Sequence, residues 1–251
     1  MGWRVSLRAA VTALAVAGLP GLGHAGEVTG KALLEAQENA GEWLMYGRNY
    51  QNQRFSPLAE ITPQNVGELT PVFAYSTGGK LAGLEATPLF HDGTLYFSGD
   101  YSRVFALDAR TGTLKWLWEP KYEDGIESVL CCGPVNRGLA IHGGKVYVGT
   151  LDARLVALNV KDGSVAWERT LEDWKAAYTS TGAPLVVGDL VVTGIGGAEF
   201  GVRGFLQAFK AETGEPAWKT FVIPGPGEPG NETWPGETWK TGGASTWQTG
   251  A

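Results

Sequence analysis

Short apolar runs alternate with turn-forming residues along most of the chain. Thr94-Leu95-Tyr96-Phe97 is followed by Val104-Phe105-Ala106-Leu107, and Lys145-Val146-Tyr147-Val148 by Leu155-Val156-Ala157-Leu158, with Asp-Gly, Gly-Gly and Thr-Gly pairs as punctuation. Brief β-branched and aromatic runs bounded by Gly-containing turns predict short antiparallel strands. Helical patterning is confined to Lys31–Asn39, and Trp43–Pro57 predicts an entering strand and turn. Pro224–Gly236, rich in Gly and Pro, predicts a long loop.

A longer period organises these runs. Ala106-Leu107-Asp108-Ala109-Arg110-Thr111-Gly112-Thr113-Leu114-Lys115-Trp116 recurs from Ala157 to Trp167 and again from Ala208 to Trp218. The three tryptophans fall 51 residues apart both times, and fixed spacing over three copies marks a repeat architecture. Each copy predicts a turn in which Asp or Asn caps, Gly takes a left-handed position and Trp opens the next strand. A four-stranded unit of this size is a propeller blade, so the expected fold is an all-β propeller with about three blades in this chain. A β-sandwich is the alternative, and it has no reason to repeat at this spacing. Propellers carry about four to eight blades, so three blades predict an incomplete ring, with a fourth unit starting after Trp247.

Composition narrows the function. The chain has 251 residues with 37 Gly and 10 Trp, and only 18% are charged, against roughly 25% on average. Helical bundles, coiled coils and disordered chains are thereby disfavoured, while 43% hydrophobic residues suffice for a core. A net charge of −6 leaves no basic excess for nucleic acid. Three His and two Cys are too few for a zinc site or a haem attachment, so redox chemistry needs another cofactor.

Arg4 and Arg8, an apolar stretch from Ala9 to Leu19, Pro20 and the small residues leading to Ala25 predict a secretory signal over residues 1–25, cleaved after Ala25. A membrane anchor is the alternative, but the stretch is shorter than the roughly 20 residues needed to span. Cleavage leaves 18 basic and 26 acidic residues, a net charge of −8, in an oxidising compartment. Residues 26–251 are then the propeller part.

Cys131 and Cys132 are adjacent. Neighbouring Cα atoms lie about 3–3.8 Å apart, below the usual span of about 4.4–6.8 Å for a disulfide, so a bond between them closes a strained, flat ring. Two buried reduced thiols are the alternative.

The repeats, together with Cys131-Cys132, Gly197-Ala198-Glu199 and the opening segments Trp43-Leu44-Met45-Tyr46-Gly47-Arg48-Asn49-Tyr50 and Arg54-Phe55-Ser56-Pro57-Leu58, resemble the pyrroloquinoline quinone (PQQ)-dependent alcohol dehydrogenases. These are eight-bladed propellers of the bacterial periplasm, and the resemblance covers residues 40–251, nearer the ethanol-oxidising branch. It implies a Cys131–Cys132 disulfide on one face of PQQ and Trp247 stacked on the other, with blade packing the alternative for Trp247. It implies that Arg137 pairs with a PQQ carboxylate, and that Glu85 and Thr181 hydrogen-bond the cofactor. It implies backbone contacts from Gly197 and Ala198, with Glu199 as ligand to Ca²⁺ or a lanthanide. Departures are Gly196, where methanol-oxidising relatives commonly carry Ser, and Ala244, where a third Gly is usual.

The resemblance places the catalytic Asp, an Asn ligand and a further Arg beyond Ala251, so no catalytic residue is expected within this chain and the chain alone is expected to be inactive. The implied reaction is periplasmic oxidation of a primary alcohol to an aldehyde by hydride transfer to metal-bound PQQ, with electrons passed to a cytochrome c. No membrane span is expected in the mature chain, and a homodimer is compatible. A non-catalytic propeller serving as a protein-binding scaffold is the reading from another class.

Overall fold

The computed structural model describes residues 27–79 and 83–251, so the expected signal segment lies outside the described residues. Twelve strands form three four-stranded antiparallel sheets. The first contains β1 (Leu89–His91), β2 (Thr94–Ser98), β3 (Val104–Asp108) and β4 (Leu114–Trp118). The second contains β5 (Ala140–His142), β6 (Lys145–Gly149), β7 (Arg154–Asn159) and β8 (Val165–Thr170). The third contains β9 (Leu185–Val187), β10 (Leu190–Gly194), β11 (Phe205–Lys210) and β12 (Pro216–Phe221). Each is a meander in chain order, the topology of a propeller blade.

The same turn closes each of the three copies. Gly112, Gly163 and Gly214 take φ of 71°, 72° and 68°, the left-handed region that a side chain resists. In the first copy Asp108 Oδ1 accepts from the Arg110 and Thr111 backbone N–H groups at 3.1 and 2.9 Å. Those Thr111 bonds hold the Asp108 carboxyl below its usual range. A register shift follows at Ala106/Leu107, Ala157/Leu158 and Ala208/Phe209. The outer strands therefore begin two residues ahead of their tryptophans, and Trp116, Trp167 and Trp218 lie third in β4, β8 and β12 rather than first.

These tryptophans join one blade to the next. Trp116 Nε1 donates to Val160 O at 2.9 Å and Trp167 Nε1 to Ala211 O at 3.0 Å. Each ring lies against the turn glycine of the following blade, where a Cβ on Gly163 or Gly214 would sit 2.6 Å from the indole. Both rings are 8% exposed, whereas Trp218 is 41% exposed and meets no such glycine among the described residues. Phe73 fills the equivalent place against Gly112. The middle blade is the most buried, with Val146, Tyr147, Val148 and Leu155–Leu158 all sealed from solvent.

The N-terminal segment departs from expectation. The helix α1 is confined to Gly30–Leu34, capped by Thr29, whose side chain accepts from Ala32 N. Leu33 is its one buried residue, and so short a helix needs packing to persist; from Glu35 the chain runs in turns. Trp43–Pro57 is not a strand. Trp43 makes one antiparallel bridge with Phe90, and positive φ at Arg48, Asn52 and Arg54 then breaks the extension. Buried Arg48 holds these turns together, donating to Asn39 O at 3.0 Å and Phe55 O at 3.2 Å. The segment after Gly242 carries no strand of a fourth blade; it bridges back to the third through Arg203 and Gly243. No helix among the described residues is long and apolar enough to cross a membrane.

Candidate functional site

The segments that lead into the innermost strands line up side by side. Thr87 N donates to Arg137 O at 3.3 Å, and Arg137 N to Thr181 O at 2.9 Å, so the chain ahead of β1, β5 and β9 forms one continuous inner rim. That rim places Glu85, Arg137 and Thr181 together. Arg137 Nη2 lies 3.2 Å from Glu85 Oε2, and its Nη1 donates to Thr181 Oγ1 at 2.9 Å. The guanidinium stands 4.5 Å from the centroid of the Trp247 ring.

Beside this rim lies a cleft enclosing about 590 Å³, part of it open to solvent. Cys131, Cys132, Arg137, Thr181, Gly197, Glu199 and Trp247 all line it. The sequence-predicted residues outside that lining are Glu85, which reaches it through Arg137, and Ala198, which sits behind Gly197 against Gly243. Gly197 has φ of 107°, and a Cβ there would run into Ala177 O, so only glycine carries the chain round this turn. A short turn of 3₁₀ helix, Ala198–Phe200, follows and presents Glu199, which is exposed.

The expected disulfide is not formed. Cys131 and Cys132 are free, exposed thiols in this structure. Partial burial, a hydrogen bond with Cys132 and the charges of Cys132 and Glu199 push the Cys131 thiol up to about 12.

Sequence reasoning missed Thr179, which is buried and lines the cleft. Gly196 N donates to Thr179 O at 2.7 Å, and a Cβ on Gly196 would meet Thr179 Oγ1 at 2.7 Å. Thr179 thus fills the space that a serine at 196 needs, and it offers a hydroxyl on the same wall. Val129, Leu130, Val135 and Phe200 add an apolar lining that no motif marked.

The cleft's chemistry suits a planar polycarboxylate quinone, because the Trp247 ring supplies a flat surface and Arg137 a cation beside it. The metal set is incomplete. A hard cation takes about six to eight oxygen ligands, whereas the described residues hold no cluster of three or more His, Cys, Asp or Glu able to grip one. Glu199 is the cleft's one carboxylate.

Comparison with known proteins decides the family. A profile described as "Glucose/ethanol/alcohol dehydrogenase, beta-propeller domain", for PQQ proteins, matches residues 43–251. The chain belongs to the PQQ-dependent alcohol dehydrogenases. Quinoprotein alcohol dehydrogenase PedH of Pseudomonas putida is 41% identical over 246 residues, covering 91% of this chain and 41% of that protein. Quinohemoprotein alcohol dehydrogenase ADH-IIG, also of Pseudomonas putida, is 44% identical, covering 93% of this chain and 34% of its own length. The solved structure of ADH-IIG superimposes with a TM-score of 0.81, covering 88% of this chain and 34% of that one. A europium-containing methanol dehydrogenase gives 0.80 at 37% identity, covering 86% of this chain and 41% of that one. The chain therefore spans less than half the length of the PQQ-dependent dehydrogenases it matches, and its three sheets are propeller blades of that family.

Proposed function

We propose that this chain forms one wall of the active site of an enzyme that oxidises primary alcohols to aldehydes with PQQ, exported to the periplasm after cleavage at Ala25 and passing electrons to a cytochrome c. The observation that carries the reading is the convergence of Cys131, Cys132, Arg137, Thr181, Gly197, Glu199 and Trp247 on one cleft, in a chain of the quinoprotein family. PQQ, when bound, supplies the hydride acceptor.

The residues of this chain bind and orient. Arg137 holds an anionic edge of the cofactor, and its Glu85 and Thr181 partners fix the guanidinium in plane. The Glu85 pair is partly exposed, and such pairs contribute only about 0–1 kcal/mol, so Arg137 can exchange it for a bound carboxylate at small cost. Trp247 shields one face from water, and the Cys131-Cys132 pair, once joined in the oxidising compartment, closes the other. Gly197 lets the backbone approach. Glu199 would contribute a charged oxygen to a hard cation, Ca²⁺ or a lanthanide, for which the described residues gather no further cluster of carboxylate, His or Cys ligands.

The test is reconstitution of the full-length protein with PQQ and Ca²⁺, followed by dye-linked oxidation of ethanol and 1-butanol. Quinone-dependent turnover is expected. Folded protein that takes up no quinone, or takes it up and oxidises no alcohol, would overturn the proposal.

A further inference from the structure

The turn that carries Glu199 and the segment that carries Trp247 are far apart in sequence, yet one side chain that touches neither residue ties them together. Arg203 lies four residues after Glu199 and two before the start of β11. Its backbone forms a parallel bridge with Gly243: Gly243 N donates to Val202 O at 2.9 Å, and Gly204 N to Gly243 O at 2.7 Å. Trp247 follows Gly243 by another four residues.

The Arg203 side chain spans both ends of the long loop between β12 and Gly243. At the first end Nε and Nη2 donate to Ile223 O at 2.9 and 2.5 Å, and the guanidinium stands 3.9 Å from the Phe221 ring centroid. At the other end it stands 4.7 Å from the Trp239 ring. Its Nη2 also lies 3.6 Å from Glu228 Oε2. A planar cation between two rings that also forks onto a carbonyl uses properties an ammonium does not have. Beyond the clamp, Thr246 N donates to Ile195 O at 2.9 Å and Thr246 Oγ1 to Phe205 O at 2.6 Å, seating the next residue, Trp247, on the blade.

We propose that Arg203 is a positioning residue, which by pinning both ends of the 222–242 loop sets where the Trp247 wall stands relative to the turn bearing Gly197 and Glu199, and so the alignment of the ring that covers the quinone face with the turn that meets its edge. This rests on the proposed PQQ function and adds to it a residue outside the cofactor contacts. An error of about 1 Å in such an alignment is enough to lose binding and orientation together.

The experiment uses the full-length protein and its Arg203→Lys and Trp239→Leu variants, the second keeping the arginine and removing one ring. Two quantities are measured: PQQ affinity, by quenching of tryptophan fluorescence at fixed calcium, and amide hydrogen exchange of the cofactor-free proteins. For Arg203→Lys, exchange is expected to quicken over residues 243–248 while the β5–β8 blade keeps its protection, and the PQQ dissociation constant is expected to rise about tenfold. Trp239→Leu shifts both in the same direction and less. Faster exchange with unchanged PQQ affinity makes Arg203 a loop brace only and overturns the proposal, as does protection lost throughout the blades. Wild-type protein that binds no PQQ overturns the proposed function, and this inference with it.

Discussion

Glu199 is the residue whose chemistry is most easily isolated. Glu199→Gln keeps the side-chain size and removes the charge, so metal content and dye-linked alcohol oxidation in the full-length protein are both expected to fall. Because Glu199 is exposed on a turn and packs no blade, the melting temperature of the cofactor-free protein is expected to move by little. Metal analysis beside a thermal scan checks both, and full metal occupancy in the variant would remove Glu199 from the site. The cysteines give a second measurement. Protein isolated without reductant is expected to take up no alkylating agent, and after reduction to take up two equivalents, one for each cysteine. Burial and neighbouring charge raise the Cys131 thiol above its ordinary value, and the thiolate is the reacting species. One of the two reduced thiols should therefore react at least about tenfold more slowly than an ordinary cysteine at pH 8, and faster as pH rises. Time-resolved intact mass reads both outcomes.

At the scale of the element, the turn and its tryptophan form one unit. Gly163 carries φ of 72° and lies under the Trp116 ring. Gly163→Ala is expected to cost about 1–3 kcal/mol from backbone strain alone, with more from the displaced indole. Trp167→Ala removes a buried ring and a hydrogen bond, with an expected loss of about 3–5 kcal/mol. Chemical denaturation measures both, and a neutral Gly163→Ala would show that the ring gives way freely. These elements were legible in the sequence because turn chemistry is local: Gly112, Gly163 and Gly214 announce their conformation within a few residues. Phe73 was not legible. It docks on Gly112 without a place in the 51-residue spacing, and only the folded chain brings the two together. The same holds within the site: Cys131-Cys132 and Gly197-Ala198-Glu199 are contiguous motifs, whereas Thr179 and Arg203 act through partners on other segments. The helix overran in the sequence reading because residues after Leu34 keep a helical composition but have little to bury.

At the scale of the molecule, export is the first expectation to check. N-terminal sequencing of periplasmic protein is expected to begin at Gly26, and retention of Met1 there would count against the cleaved signal. The blade contacts carry a further consequence. The docks of Trp116 and Trp167 each run from one blade to the next, so stability is passed along like tension in a row of clasped hands. Among the described residues the middle blade is held on both sides by such contacts. In such an array stability is approximately a sum over units and nearest-neighbour interfaces. Within this stretch β6 and β7, in the middle blade, are expected to be the last amides to exchange. A damaged clasp at Trp167 is expected to loosen the third blade against the second, and with it the Glu199 wall of the cleft, while the Cys131 and Arg137 wall keeps its own contacts. Loss of cofactor binding could thus precede loss of most of the sheet, and a mutation far from the cleft could empty it without touching a single residue that lines it.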